Sequence, residues 1–183
     1  MRFPTPADRP KLQHPDTAHG ITVGEGSLVQ VIGFIIEAHY SDVRSGDSVN
    51  CDIPGEPTND IHIALGHTLD APECTSITAE IIPHFRPHAW TGLAALHRPD
   101  VLTLRQQARL DRPVRLTGQL MFDASHQPCT SGVPAANAPA RMSAWEVHPV
   151  YRIDVCGETS LEACAASAAA WTPLNQWFAV PSR

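Results

Sequence analysis

The chain has 183 residues, 43% of them hydrophobic and 17% charged, with a formal net charge of -6 and a pI near 5.9. That length fills one core and is short for two; the composition excludes a charge-dominated disordered chain, and no apolar run approaches the ~18 residues of a membrane helix. The acidic balance argues against broad binding to a phosphate backbone, which draws on clustered Lys and Arg, so a nucleic-acid partner is not expected.

Residues 1–26 hold four prolines and no periodicity, and read as an extended N-terminal arm. The opening MRFPTPADRPKLQHP has no apolar signal core, so an exported protein would carry its signal outside this sequence. From Ser27 to His39 comes a long β-rich run with Gly33 near its middle, where a glycine marks the bend that lets one strand serve two sides of a small barrel. A turn at Asp42–Gly46 and a hairpin partner at Asp47–Ile53 are expected next. Asn59–Leu65 and Thr75–Ile82 each alternate, with Ile61, Ile63, Leu65, Ile77, Ala79 and Ile81 on one face and Asp60, His62, Thr78 and Glu80 on the other.

A helical insertion is expected at about 87–110, where Trp90, Leu93, Leu96, Val101, Leu104 and Ala108 recur at spacings of three and four. Pro113–Phe122 alternates again, and Ser125–Ala140, rich in Pro, Ser, Gly and Ala, is a long loop of the kind that mounts binding residues. The strand Trp145–Cys156 turns Trp145, Val147, Tyr151, Ile153 and Val155 inward and Glu146, His148, Arg152 and Asp154 outward. After Gly157, Thr159 or Ser160 caps an alanine-rich helix running to about Trp171, and Trp177 and Phe178 in the tail pack on the barrel.

These elements predict a mainly β fold: an OB-like closed antiparallel barrel of five or six strands over residues 27–156, with residues 157–183 forming a C-terminal helix and tail. A β-sandwich is the alternative, and it would not need the bend at Gly33.

The strand WEVHPV, the strand VRLTGQLMFD and the Asp-x-His strand DIHI together resemble an uncharacterised bacterial group of small OB-like proteins with a W-E-[IV]-H-P strand. The resemblance spans roughly residues 28–156. It implies the barrel and carries no activity.

The polar face of these strands bears Asp60, His62, Glu80, Glu146 and His148, and the end of the fifth strand adds Asp123 and His126. Imidazole plus carboxylate with an open position binds a zinc-like divalent metal and activates water, so a metal-dependent hydrolase is one reading. In it, His62, His148, Asp60 and His126 are candidate ligands and Glu80 or Glu146 the general base. A binding or scaffolding domain for a carbohydrate or protein partner, with Trp90, Arg141 and Asp123 as candidate binding residues, is the first choice, and the hydrolase is its alternative. A self-satisfied network, for example Glu146 with Arg141, would also occupy this face without any ligand.

Cys51, Cys74, Cys129, Cys156 and Cys164 show no CxxC spacing, which disfavours a zinc ribbon. Two disulfides and a spare thiol, paired Cys51–Cys74 and Cys129–Cys156, would suit a secreted or periplasmic protein.

Overall fold

The computed structural model describes residues 23–41, 59–86, 104, 111–136 and 138–177. The expected hairpin strand at 47–53, Trp90, Phe178, Cys51 and all of the expected insertion except Leu104 lie outside those residues. Six strands are described: β1 Leu28–Tyr40, β2 Ile61–Gly66, β3 Ile77–Ile81, β4 Val114–Phe122, β5 Trp145–Cys156 and β6 Trp171–Pro173. Two short helices follow β5, α1 Leu161–Ala166 and α2 Leu174–Trp177.

The sheet order is β3-β2-β1-β4-β5-β6, and a further β3–β5 pairing closes the first five strands into a barrel. All ladders are antiparallel except that closing seam, where Thr78 stands opposite Glu146 and Ala79 opposite Val147 in parallel. The barrel is therefore mixed where a wholly antiparallel one was expected, because β5 returns to β3 from the far side of β4. Closure excludes the sandwich. Ile35, Ala38, Ile61, Ile63, Ala79, Leu116, Val147 and Val155 fill its interior, and Leu104 joins them.

β1 is long because it belongs to two sides of the ring. Leu28–Gly33 pairs with β4 and Phe34–Tyr40 with β2, so the handover falls at Gly33 as its place in the sequence predicts. A Cβ at Gly33 would stand 2.6 Å from Leu65 Cδ2 and 2.9 Å from the Gly66 carbonyl, too close for any side chain. One residue, Ile36, is extra in the pairing with β2, and this bulge moves the inward phase from Ile35 to Ala38.

β5 departs from simple alternation twice. Opposite consecutive β4 residues Thr117 and Gly118 stand Arg152 and Val150, which leaves Tyr151 unpaired; opposite Gly118 and Leu120 stand Val150 and Val147, which inserts a second extra residue. The first irregularity reverses the phase and the second restores it. Val150 is therefore buried and Tyr151 exposed, a correction to the expected inward Tyr151. Gly118 lies at this point, and a Cβ there would meet the Pro149 carbonyl at 2.4 Å and Val147 Cγ1 at 2.6 Å.

The C-terminal helix is shorter than its alanine content predicts. α1 is capped by Ser160, whose Oγ accepts from the Ala163 amide, and it stops at Ala166. Trp171–Pro173 instead adds β6 to the edge of β5, and that pairing outweighs the modest helix propensity of a short alanine run. Leu174 then plugs the core and Trp177 packs against it.

The disulfides are Cys74–Cys129 and Cys156–Cys164, not the two pairs expected. Cys156 ends β5 and Cys164 sits on α1, six residues after the chain turns at Glu158; Cys74 lies in the 3-10 turn Glu73–Thr75 between β2 and β3. Sequence distance gives no guide to such proximity. Among the described residues no helix is long and apolar enough to cross a membrane.

Candidate functional site

Register alone assembles a polar row across the outside of the barrel wall. His39 of β1 stands opposite His62 of β2, and His62 opposite Glu80 of β3. Carrying the parallel β3–β5 seam one residue beyond Ala79 and Val147 sets Glu80 beside His148. Glu146 lies two positions earlier on β5, on the same face.

The side chains follow that plan. Glu80 reaches both ways, with Oε1 3.3 Å from His62 Nε2 and Oε2 3.0 Å from His148 Nδ1. His148 Nδ1 also lies 3.2 Å from Glu146 Oε1, and its Nε2 is 4.0 Å from Asp60 Oδ2. Asp60 is set just ahead of β2 by its own carbonyl, which accepts from the Ser41 amide at 2.9 Å, while Asn59 Nδ2 donates to the Ser41 carbonyl at 3.0 Å. The rings of His39 and His62 stack with centroids 5.5 Å apart.

On the other side of Glu146 the network continues into the 123–144 segment. Arg141 is fully buried, and its Nη1 donates to Glu146 Oε2 at 3.0 Å and to Asp123 Oδ2 at 2.8 Å. Asp123 is in turn fixed by the amide of Ser125 at 2.9 Å, by the Ser125 hydroxyl, and by His126 Nδ1 at 2.6 Å. The Arg141 carbonyl accepts from the Cys129 amide, and the next residue, Met142, donates its amide to the Ser76 carbonyl. With the Cys74–Cys129 bridge, these bonds tie the segment to the start of β3.

Asp123 and Glu146 share the Arg141 guanidinium, while Glu80, Glu146 and Asp60 all face the His148 imidazole. Burial pushes the Glu80 carboxyl up to about 7, against the pull of His148, and nearby Glu146 and Asp60 push it the same way. Burial would lower His148, but hydrogen bonds to Glu146 and Glu80 outweigh it and hold the ring up at about 10. Asp123 behaves oppositely: burial raises it, yet His126, Ser125 and the Arg141 charge keep it well below the usual carboxylate range.

Asp60, Glu80 and His148 can each offer one ligand atom, all within 4.8 Å of one another. His148 and Asp60 keep 22% and 13% of their side-chain surface exposed, whereas Glu146 keeps 1%. A cavity of about 470 Å³ lined by Glu25, Gln119, Leu120, Met121 and Pro149 opens directly onto His148.

Of the residues expected to form a site, the structure brings together Asp60, His62, Glu80, Glu146 and His148. His126 stands apart from the three-residue cluster, at the far end of the chain of contacts, bonded to Asp123. Arg141 and Asp123 form the buried support of Glu146, and Trp90 lies outside the described residues. His39 and Glu25 were not foreseen. The bulge at Ile36 hides His39, because counting in twos from Val29 turns it inward.

Comparison with protein-family models, with curated proteins and with solved structures finds no match for this chain.

Proposed function

We propose that Asp60, Glu80 and His148 hold a divalent metal ion and that the barrel is a metal-dependent hydrolase. One observation carries the reading: an imidazole and two carboxylates each have a donor atom within 4.8 Å of the others, and the residue that supplies the imidazole, His148, also lines a cavity. Three protein ligands with a remaining position for water are the arrangement of catalytic sites, in which the ion lowers the pKa of bound water to about 7.

The surrounding residues suit that role. His62 Nε2 lies 3.3 Å from the other oxygen of Glu80 and Glu146 holds Nδ1 of His148, so both candidate ligands carry outer partners, and an ion would take the place of the proton on His148 Nε2. Glu146, buried and bonded to Arg141, orients His148 rather than reaching a substrate. The groove past Gln119 and Leu120 is where the substrate would lie.

The five-strand closure and the bent β1 that serves both neighbours support an OB-type barrel. The two disulfides support an extracellular or periplasmic setting. Without an ion the same residues would form a self-satisfied network, and the domain would bind or scaffold a carbohydrate or protein partner.

Elemental analysis of protein purified without chelator separates the two. About one transition metal per chain is expected, with hydrolysis of a panel of activated carboxylic and phosphoric esters lost in chelator and restored by zinc or manganese. Protein that stays metal-free after zinc supplementation overturns the metal reading.

A further inference from the structure

A few residues along β5 from His148 lies the irregularity that leaves Tyr151 unpaired. The bulge that buries Val150 turns Tyr151 into solvent, where it stays 39% exposed, and Phe85, 38% exposed, meets it edge to face with centroids 4.7 Å apart. Large aromatics are not held open to water by packing needs, and bulges commonly re-aim a side chain beside a binding site. Between this pair and the start of α2 lies a cavity of about 350 Å³, within the range of small-ligand pockets, with Leu174 at its floor.

Asn175 and Gln176 offer side-chain amides that make no hydrogen bond among the described residues, and Arg152 is the one formally charged lining residue among them. Arg152 donates through Nε to Asp154 Oδ1 at 2.6 Å, and its terminal amino groups have no partner among the described residues. Asp154 cannot neutralise it fully. Its other oxygen is taken by Arg115, whose Nη2 donates at 2.8 Å while the guanidinium lies over the Trp171 ring at 4.7 Å. Two guanidiniums on one buried carboxylate leave a local positive charge on an otherwise acidic chain.

We infer that this groove binds a short acidic oligosaccharide, a sugar ring carrying a carboxylate. The aromatic pair offers an apolar surface to the C–H face of a ring, and the two amides can donate to and accept from hydroxyls. The free fork of Arg152 matches a carboxylate in geometry and charge. A neutral ligand would leave that guanidinium unanswered, and a long polyanion would meet the net negative charge of the chain. The groove shares no lining residue with the cavity at His148, so the inference stands apart from the metal reading.

Titration calorimetry in chelator-containing buffer tests it, with di- and trisaccharides of galacturonic and glucuronic acid as probes and their neutral hexose counterparts as controls. The expected result is saturable 1:1 binding of an acidic probe, at least about tenfold tighter than the neutral one, since a charged bidentate contact is worth about one decade or more. Arg152→Gln should remove that preference, and Tyr151→Ala and Gln176→Ala, both at exposed positions, should weaken binding with the thermal melt unchanged. No heat from any acidic probe, equal affinity for acidic and neutral probes, or full binding by Tyr151→Ala overturns the inference.

Discussion

His148 and Glu80 face each other across the one parallel seam of the barrel, Nδ1 to Oε2 at 3.0 Å, with Asp60 beyond the far nitrogen of the same ring. If that pair helps hold an ion, the residues directly on it and those behind it should differ in severity. His148→Ala should abolish metal retention. His62→Ala, which removes the imidazole beside Glu80 without touching a proposed ligand, should weaken metal affinity by about 10- to 100-fold. Competition with a chromogenic chelator measures both, and equal effects would contradict the assignment of His62 to the outer layer.

Arg141 has no surface exposure and lies between two carboxylates. Arg141→Met should destabilise the protein by about 3–5 kcal/mol, because Asp123 and Glu146 would lose the buried guanidinium that bridges them. In the double variant Arg141→Met with Glu146→Gln the cost should fall below the sum of the single changes. Urea denaturation of the four proteins reads this coupling directly.

Asp123 titrates below its ordinary value of 3.8 in the folded state. A carboxyl lowered on folding contributes its full stabilisation above the unfolded pKa and loses it as pH falls towards the folded one. Wild type should therefore exceed Asp123→Asn in stability at pH 7, and the gap should narrow progressively below about pH 4. Denaturation midpoints at pH 7, 5 and 3 check the sign, and a gap that widened on acidification would refute it.

Gly118 is irreplaceable for steric reasons. A methyl group there would press into the Pro149 carbonyl and Val147 at under 3 Å, and the backbone atom cannot move aside without opening β4 from β5. Gly118→Ala should cost roughly 1–3 kcal/mol or more. Gly132→Ala, whose added Cβ meets nothing within 4 Å, should instead report only the cost of its positive φ.

The disulfides differ in what they restrain. Cys74–Cys129 spans 55 residues and Cys156–Cys164 spans 8. By chain entropy their removal should cost about 4 and about 2.5 kcal/mol respectively. Peptide mapping of unreduced protein should recover both pairs, and thermal melts of Cys74→Ser and Cys164→Ser should rank in that order.

Much of the barrel was legible because the core-facing wall of each strand is apolar and the other wall polar, which gives Ile61–Leu65, Ile77–Ile81 and Val114–Leu116 a period of two in residue type. Gly33 announced the bend for the same reason, since nothing but a close backbone approach calls for glycine mid-strand. Bulges were not legible: Ile36 and Tyr151 suit either face, and only the partner strand decides which is extra. The gathering of Asp60, Glu80 and His148 followed from shared parity. The part played by Arg141 as a buried cation between Asp123 and Glu146 needed the path of the 123–144 segment, which no local pattern encodes. The same path joins Cys74 to Cys129.

The β2–β3 pairing supplies two donors of this cluster, Asp60 and Glu80, without help from the rest of the ring. The seam that brings Glu80 to His148 links segments far apart along the chain, so the third donor joins the other two only when the ring closes, which costs loop entropy. Whatever occupies them binds the shut form and not the open one, and its concentration acts as a latch on the whole cylinder. Amide protons along Ile77–Ile81 should then exchange more slowly with cation present, while those in α1, away from the join, should hardly notice.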